Sequence, residues 1–290
     1  MLALYPVFKM RGRIFMAAQQ TFALGVGAAG DQRLDLQHDI LKENSIKYLT
    51  LAGLKPGHVV WDIGCGNGAM LPFLAQTVGA RGHVYALDQS VAQLDLAKNR
   101  VQEAGLANVT FFQGEVGALK GLPAQEADLV HMRLLLMHVT NPKEVIRALF
   151  PLLKEGGMVV SQESIMSTSR DYLADASYHG CIDALVNLGK TLGVDYDIGR
   201  SLGALYENEG YEAVQVTLER PEATLKQIKD MLIFGVDEWK AEGLKKGVMS
   251  QESVAGSQAL FQGWPDDDDR TAPFPTEQAY VLARKRRKPL

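Results

Sequence analysis

Apolar positions recur along the chain in two alternating periods. From Gln37 to Leu54, with Leu36 just before it, Ile40, Leu41, Ile46, Leu49 and Leu51 fall near one face at helical spacing, and Pro56-Gly57 ends the run. His58 to Ile63 is a short apolar run of strand length, followed at once by Gly64-Cys65-Gly66-Asn67-Gly68. Ala69 to Val78 resumes helical spacing through Met70, Leu71, Leu74 and Val78. Pro72 lies in the first turn of that helix, where a missing N–H is tolerated. The alternation then repeats. His83 to Leu87 predicts a strand ending at Asp88, and Val91 to Glu103 a helix closed by Gly105. Val109 to Gln113 and Ala127 to Met132 predict two more strands, Pro142 to Leu153 a helix, and Met158 to Glu163 a fifth strand. Strands and helices alternating at this spacing predict an α/β chain with a doubly wound, mostly parallel sheet and right-handed crossovers.

Beyond residue 163 the rhythm changes. Asp171 to Leu192 is helical in pattern, Ile198 to Gly210 holds another helix, and Tyr211 to Glu219 alternates as a strand does. Pro221 to Phe261 carries two helical stretches rich in Lys and Glu. Gln262 to Pro275 is a polar loop, and Gln278 to Arg284 alternates as a last strand. No repeat of solenoid length is present.

Composition narrows the possible partners. The 290 residues carry a formal net charge of −4, which offers no broad electrostatic footprint for nucleic acid and favours a small-molecule ligand. The run Arg284-Lys285-Arg286-Arg287-Lys288 is short and isolated, so it is expected to be solvated. Asp266 to Asp269 lacks the alternating ligand spacing of a calcium loop, and no metal is expected there. Cys65 and Cys181 have no metal-type spacing and are expected to be reduced thiols of a cytoplasmic protein. In Met1 to Met16, Lys9, Arg11 and Arg13 interrupt the apolar residues instead of preceding them, unlike a signal peptide. No stretch reaches the roughly 18 uninterrupted apolar residues of a membrane span. Residues 1–30 are expected to be a loosely ordered leader and 286–290 a basic tail.

The chemistry concentrates at consecutive strand ends. Alternate glycines at 64, 66 and 68 permit positive φ and close approach of a ligand to the backbone. Alone they suit any nucleotide-like cofactor. Asp62 precedes the first glycine. Asp88, followed by Gln89, ends the next strand, where an acid accepts hydrogen bonds from ribose hydroxyls, and Gln113-Gly114-Glu115 ends the third, beside an adenine edge. The main rival, the dinucleotide fingerprint, has its third glycine one residue later than this turn does.

Taken together, Val59-Val60-Trp61-Asp62-Ile63-Gly64-Cys65-Gly66-Asn67-Gly68 resembles motif I of the class I SAM-dependent methyltransferases. Asp88 matches that family's ribose-binding acid and Gly114-Glu115-Val116 its adenine-proximal motif. Ala127 to Arg133 resembles the fourth-strand motif, and Leu152-Leu153-Lys154-Glu155-Gly156-Gly157 the loop before strand five. The resemblance runs from Leu36 to Glu163 and is nearest the branch acting on small molecules, quinones and natural products. It implies a Rossmann-like, seven-stranded sheet ending in an antiparallel hairpin, with Tyr211 to Glu219 and Gln278 to Arg284 as its strands. It also implies S-adenosyl-L-methionine as cofactor and S-adenosyl-L-homocysteine as product.

The expected organisation is a methyltransferase domain at 31–219 plus 276–285, with 164–210 forming a substrate cap. Residues 220–275 would be a long insertion within the hairpin. Cofactor contacts are expected from Gln37, Asp62, Gly64, Cys65, Gly66, Gly68, Asp88, Gln89, Gly114, Glu115, Val116 and Arg133, with Phe22 and Arg33 as further lid contacts. Arg133 would approach the cofactor's carboxylate, a role weighed equally against helix capping or a salt bridge. Methyl transfer is an in-line displacement helped chiefly by positioning, and a base is needed only if the acceptor keeps its proton until attack. Among the histidines, each expected more often to be structural, His179 is the first candidate for that base. The expected activity is methyl transfer to a small organic acceptor. The alternatives are a non-catalytic SAM-binding partner protein and, further off, a nicotinamide-dependent oxidoreductase. No nucleic-acid partner is expected, and the oligomeric state is left open, a homodimer included.

Overall fold

A parallel strand covered on both faces has no polar side, and the short runs around residues 60, 86 and 111 have that composition. In a computed structural model, which describes residues 7–9, 28–116 and 127–286, these runs are the centre of one sheet. The elements in chain order are β1 (Val7–Lys9), α1 (Ala28–Leu51), β2 (Val59–Ile63), α2 (Leu71–Val78), β3 (His83–Asp88), α3 (Val91–Glu103), β4 (Val109–Gln113) and β5 (Ala127–Arg133). They continue with α4 (Pro142–Leu149), β6 (Leu153–Ile165), α5 (Ala176–Leu192), α6 (Leu202–Asn208), β7 (Tyr211–Glu219), β8 (Glu222–Thr224), α7 (Leu225–Lys245), α8 (Gln251–Gln262), β9 (Thr271–Pro273) and β10 (Glu277–Lys285).

The main sheet has the order β1-β4-β3-β2-β5-β6-β10-β7. β1 to β6 run parallel, and β10 enters antiparallel between β6 and β7. The sheet therefore ends in the antiparallel hairpin that the resemblance implies, formed by β7 and β10. β1 is an additional three-residue edge strand, too short to show any periodicity, and it lies in the segment expected to be a leader. α1 begins nine residues before the run from which it was expected, because its first two turns hold no large apolar residue before Leu34 and so show no helical periodicity. Most of the leader and tail, Phe22 included, lies outside the described residues.

Alternation along the strands separates two cores. Val60, Val84, Ala86 and Phe111 pack against Tyr48 and Leu49 of α1, Leu71, Leu74 and Val78 of α2, and Leu94 and Val101 of α3. Trp61, Ile63, Met132 and Val159 face Val145, Ile146 and Leu149 of α4, and Leu202 and Tyr206 of α6. At roughly 1.5–3 kcal/mol for each fully buried large side chain, these two layers are the main force holding the sheet.

Between β7 and β10 the chain builds a cap. α7 and α8 pack on α5 through Tyr178, Cys181, Ile182, Val236, Val254 and Phe261. Each cap helix has a side-chain N-cap: Asp175 for α5, Thr224 with Gln227 for α7, and Ser250 with Ser253 for α8. β8 and β9 pair antiparallel within the stretch expected to be helix and loop, three residues each being too short to alternate visibly. Lys229, nearly fully buried, donates to Trp264 O and Asp266 Oδ1, both at 2.6 Å, and ties the acidic loop to α7. Arg220 closes the base of the cap by donating to the carbonyls of Phe274, Pro275 and Thr168.

The turn leaving β5 is held by a buried acid. Leu134 adopts φ 51°, a left-handed conformation that strains a branched side chain. Glu163, on β6 and fully buried, accepts the N–H groups of Leu135 at 3.0 Å, Leu136 at 2.7 Å and Met137 at 3.2 Å. Burial pushes its carboxyl up to about 7, against the pull of those three N–H groups toward the ionised form.

Two outcomes follow for stability. Replacing Arg220 by Leu leaves three carbonyls without their donor, so urea unfolding should show a loss of about 1–3 kcal/mol and cleavage within 221–275 should quicken. A wild-type rate of proteolysis in the variant would remove Arg220 as the clamp. For Glu163, the folded pKa lies above the unfolded one, so the folded state retains a proton that unfolding releases. Its contribution is present at low pH and is lost as pH rises from about 4.5 to about 7, on the order of 3 kcal/mol in all. Urea titrations across that window should give a flatter pH dependence for Glu163→Gln than for wild type; equal slopes would refute the assignment.

Candidate active site

The parallel strands end at one edge of the sheet, and their last residues meet there because they are in register. Asp88 pairs with Gln113 across β3 and β4, and Arg133 with Gln162 across β5 and β6. Gly64, Gly66 and Gly68 have φ of 74°, 54° and 76°. A Cβ on Gly64 would lie 2.8 Å from Leu135 Cδ1, and one on Gly68 would lie 2.7 Å from Ala97 Cβ. These two glycines are needed for packing as well as for φ. A Cβ on Gly66 would meet nothing closer than Leu34 Cδ1 at 4.0 Å, so Gly66 is the glycine that faces open space.

The turn is tied down from several sides. Leu87 O accepts from the N–H groups of Gly64 and Cys65, at 2.8 and 3.0 Å. Asp88 Oδ2 accepts from Gly66 N at 2.9 Å and its Oδ1 from Ser90 N at 2.8 Å. Burial and the nearby Asp62 push the Asp88 carboxyl up, while these N–H groups favour its ionised form. Asn67, almost fully buried, donates to Asp31 Oδ1 at 2.7 Å and Asp35 Oδ1 at 2.9 Å, fastening the start of α1 to the turn. Arg100 Nη2 reaches the same Asp35 oxygen at 2.6 Å. Burial, with Asp88 and Asp62 nearby, pushes the Cys65 thiol well up, so it packs as a neutral group.

Asp62 has an internal partner. β2 and β5 align Asp62 with His131, and His131 Nδ1 lies 2.7 Å from Asp62 Oδ1 with both side chains buried. Arg133 stands beneath α1, with Ser45 Oγ at 3.5 Å and His38 Nδ1 at 3.4 Å. Burial lowers its guanidinium to about 10, opposed by Asp62 and Tyr280. Burial and Arg133 hold His38 down at about 4, so it is neutral at physiological pH. No carboxylate among the described residues forms an ion pair with Arg133, although Asp62 is close enough to act on it. A half-buried cation in that position can receive an anionic ligand.

The remaining expected residues divide. Gln113 Nε2 donates to Gln89 O at 3.4 Å and Gly114 N to Asp88 O at 3.1 Å, which brings Gln89, Gln113 and Gly114 beside Asp88. Glu115 is exposed and Val116 half-buried at the same edge. Gln37 Oε1 accepts from Arg33 Nη1 at 3.3 Å, and Arg33 Nε bonds Glu238 Oε1 at 2.7 Å. His179 is held within the cap. Its Nε2 donates to Leu173 O at 2.7 Å, which leaves the lone pair on Nδ1 facing Arg170 Nη1 at 3.5 Å. No described contact joins His179 to the glycine turn.

Four contributors carried no cofactor assignment from sequence: Asn67, His131, Glu163 and Glu238. Glu163 had a visible signal, an acid ending an apolar strand at the ligand edge of the sheet. The others depend on pairings that only folding creates.

The residues fit an adenosyl sulfonium ligand with an amino-acid end. The open backbone at Gly66 accommodates close approach, Asp88 retains acceptor lone pairs beyond its two N–H bonds, and Arg133 is a half-buried cation. A methyltransferase-domain family profile matches residues 54–197. The chain is 26% identical over 228 residues to the ubiquinone/menaquinone biosynthesis C-methyltransferase UbiE of Hydrogenovibrio crunogenus, covering 78% of this chain and 80% of that one. Among solved structures, the YcgJ protein of Bacillus subtilis superposes with a TM-score of 0.57 at 14% identity, covering 85% of this chain and all of that one. Phosphoethanolamine N-methyltransferase 2 of Haemonchus contortus, solved with S-adenosyl-L-methionine, has a TM-score of 0.54 at 17% identity and covers 91% and 61%. The strand order, the glycine turn with its two acids and the matched domain lead to one assignment: the chain belongs to the class I SAM-dependent methyltransferases, enzymes that use S-adenosylmethionine as methyl donor.

Proposed function

We propose that this enzyme methylates a small organic acceptor held beneath the α5–α7–α8 cap, with the cofactor lying across the turn at Gly66. One observation carries the placement: of the three turn glycines, only Gly66 faces open space, and its N–H is fixed by the acid at the end of the next strand. The bound cofactor supplies an electrophilic methyl group on a sulfonium. This chain's residues bind and orient. Asp88 receives the ribose hydroxyls, Gln113 to Val116 border the adenine, and Arg133 meets the methionine carboxylate. The hydrogen bond between Asp62 and His131 stiffens the strand that carries the turn. Leu135, pressed on Gly64 and held through the Glu163 turn, sets one wall at the reacting end.

The small size of the acceptor is supported by the net negative charge and by the UbiE relative, whose named role is C-methylation in ubiquinone and menaquinone biosynthesis. The half-buried aromatic groups Tyr172 and Trp239 at the cap suit an acceptor with an apolar ring. No helix among the described residues is long and apolar enough to cross a membrane. A cytoplasmic location belongs to the same proposal and is supported by the free thiols of Cys65 and Cys181.

Isothermal titration with SAM and with a nicotinamide dinucleotide tests the site, and transfer of a labelled methyl group to a metabolite pool tests turnover. SAM should bind and label should transfer. Binding of the dinucleotide alone would overturn the reading, and SAM binding without transfer would leave a non-catalytic SAM-binding protein. Asp88→Ala should weaken SAM binding by roughly 1–3 kcal/mol, since ribose bonds and the anchor of Gly66 are lost together. An unchanged affinity would displace the ribose from Asp88.

A further inference from the structure

The two halves of α1 are held by different forces. Its second half is buried by apolar packing: Ile40 and Leu41 against Ala223 and Ile228, and Tyr48 and Leu49 against the sheet. Its first half is held largely by polar contacts. Asp31 and Asp35 bond Asn67 of the turn, Asp35 bonds Arg100, and His38 touches Arg133. On the opposite side of the helix, Arg33 Nε bonds Glu238 Oε1 of α7 at 2.7 Å, and Gln37 braces Arg33. The side chains of Arg33 and Glu238 retain only 8% and 10% of their exposure. Glu238 belongs to the segment inserted between the two hairpin strands.

We propose that Arg33 and Glu238 form a latch joining the first half of α1 to the inserted cap, so that cofactor turn and acceptor cap open and close as one gate. The proposal rests on the functional reading above. Residues 31 and 35 grip the turn while residue 33, between them, grips the cap, so α1 cannot leave one without straining the other. A buried ion pair suits such a latch. Its Coulombic attraction is largely offset by the desolvation of both charges, so separating the partners into water is far less costly than removing one and leaving the other buried. An apolar contact of equal area would favour the closed state without distinguishing partners. The neighbours do not replace either charge. Burial together with Arg33 holds His138 down at about 3, and burial together with Glu238 holds Tyr196 up at about 12, so both are neutral. His138 and Tyr196 also stack edge to face at 5.6 Å, a neutral wall against the pair. Arg33 and Glu238 are thus positioning residues, acting on cofactor retention through α1.

Two measurements on the full chain test the latch. In stopped-flow dissociation of S-adenosylhomocysteine, Arg33→Gln and Glu238→Gln should each raise the release rate by about tenfold or more, and the reversed pair Arg33→Glu with Glu238→Arg should recover most of that. Recovery on reversal assigns the effect to the pairing of the two charges, and the hydrogen-exchange measurement separates a latch from a merely structural pair. In unaltered protein, where folding of variants is not at issue, hydrogen exchange with and without S-adenosylhomocysteine should show added protection at 31–38 and at 232–243 together. Protection confined to 31–38, or release rates within twofold of wild type in both single variants, would overturn the latch and leave the enzyme reading intact. Failure of the unaltered protein to bind S-adenosylhomocysteine would remove the functional reading, and the latch with it.

Discussion

Residues 64, 66 and 68 all sit in the left-handed region of backbone space, and at two of them a side chain would also collide with its neighbours. That reversal lets the chain leave β2 and enter α2 while turning N–H groups toward Leu87 and Asp88. The surrounding site is arranged to keep this path. Leu135 presses on Gly64, Ala97 fills the space beside Gly68, and Asn67 fastens α1 over the turn. A side chain added at 64 or 68 would therefore disturb two elements as well as the turn itself.

Buried polar groups do the local positioning that apolar packing cannot. The two hydrophobic layers press helices onto the sheet but are indifferent to small rotations. Hydrogen bonds are directional, and inside the protein an unpaired group is costly. Glu163 fixes the turn after β5 through three N–H groups, Asp62 with His131 joins β2 to β5, and Arg33 with Glu238 joins α1 to α7. Each of these lies at the carboxyl edge, where ligands of open α/β sheets bind.

The segment between β7 and β10 makes this chain unlike a bare domain of its family. It adds two capped helices and a small antiparallel pair, closed at the base by Arg220. Its buried apolar contacts run both to α5 and to the second half of α1.

The terminal hairpin and the cofactor class came from the resemblance of the strand-end motifs to a known family. The alternation of apolar periods was enough to specify a doubly wound sheet, because that depends on local propensity and on the shared polarity of parallel strands. Asp88 and Arg133 were legible for the same reason: polar residues closing apolar strands end at one edge. The partners of those residues were not legible. That Asp62 meets His131 follows from the register of β2 on β5, that Asn67 meets Asp31 follows from where α1 crosses the turn, and that Arg33 meets Glu238 joins positions more than two hundred residues apart. His179, attractive as a lone histidine on a predicted cap helix, has its lone pair turned toward Arg170 by a carbonyl six residues earlier. Composition and spacing determined which chemistry the chain can hold. Tertiary structure decided which groups meet, because pairing depends on register and helix crossing, and neither is encoded in any local stretch.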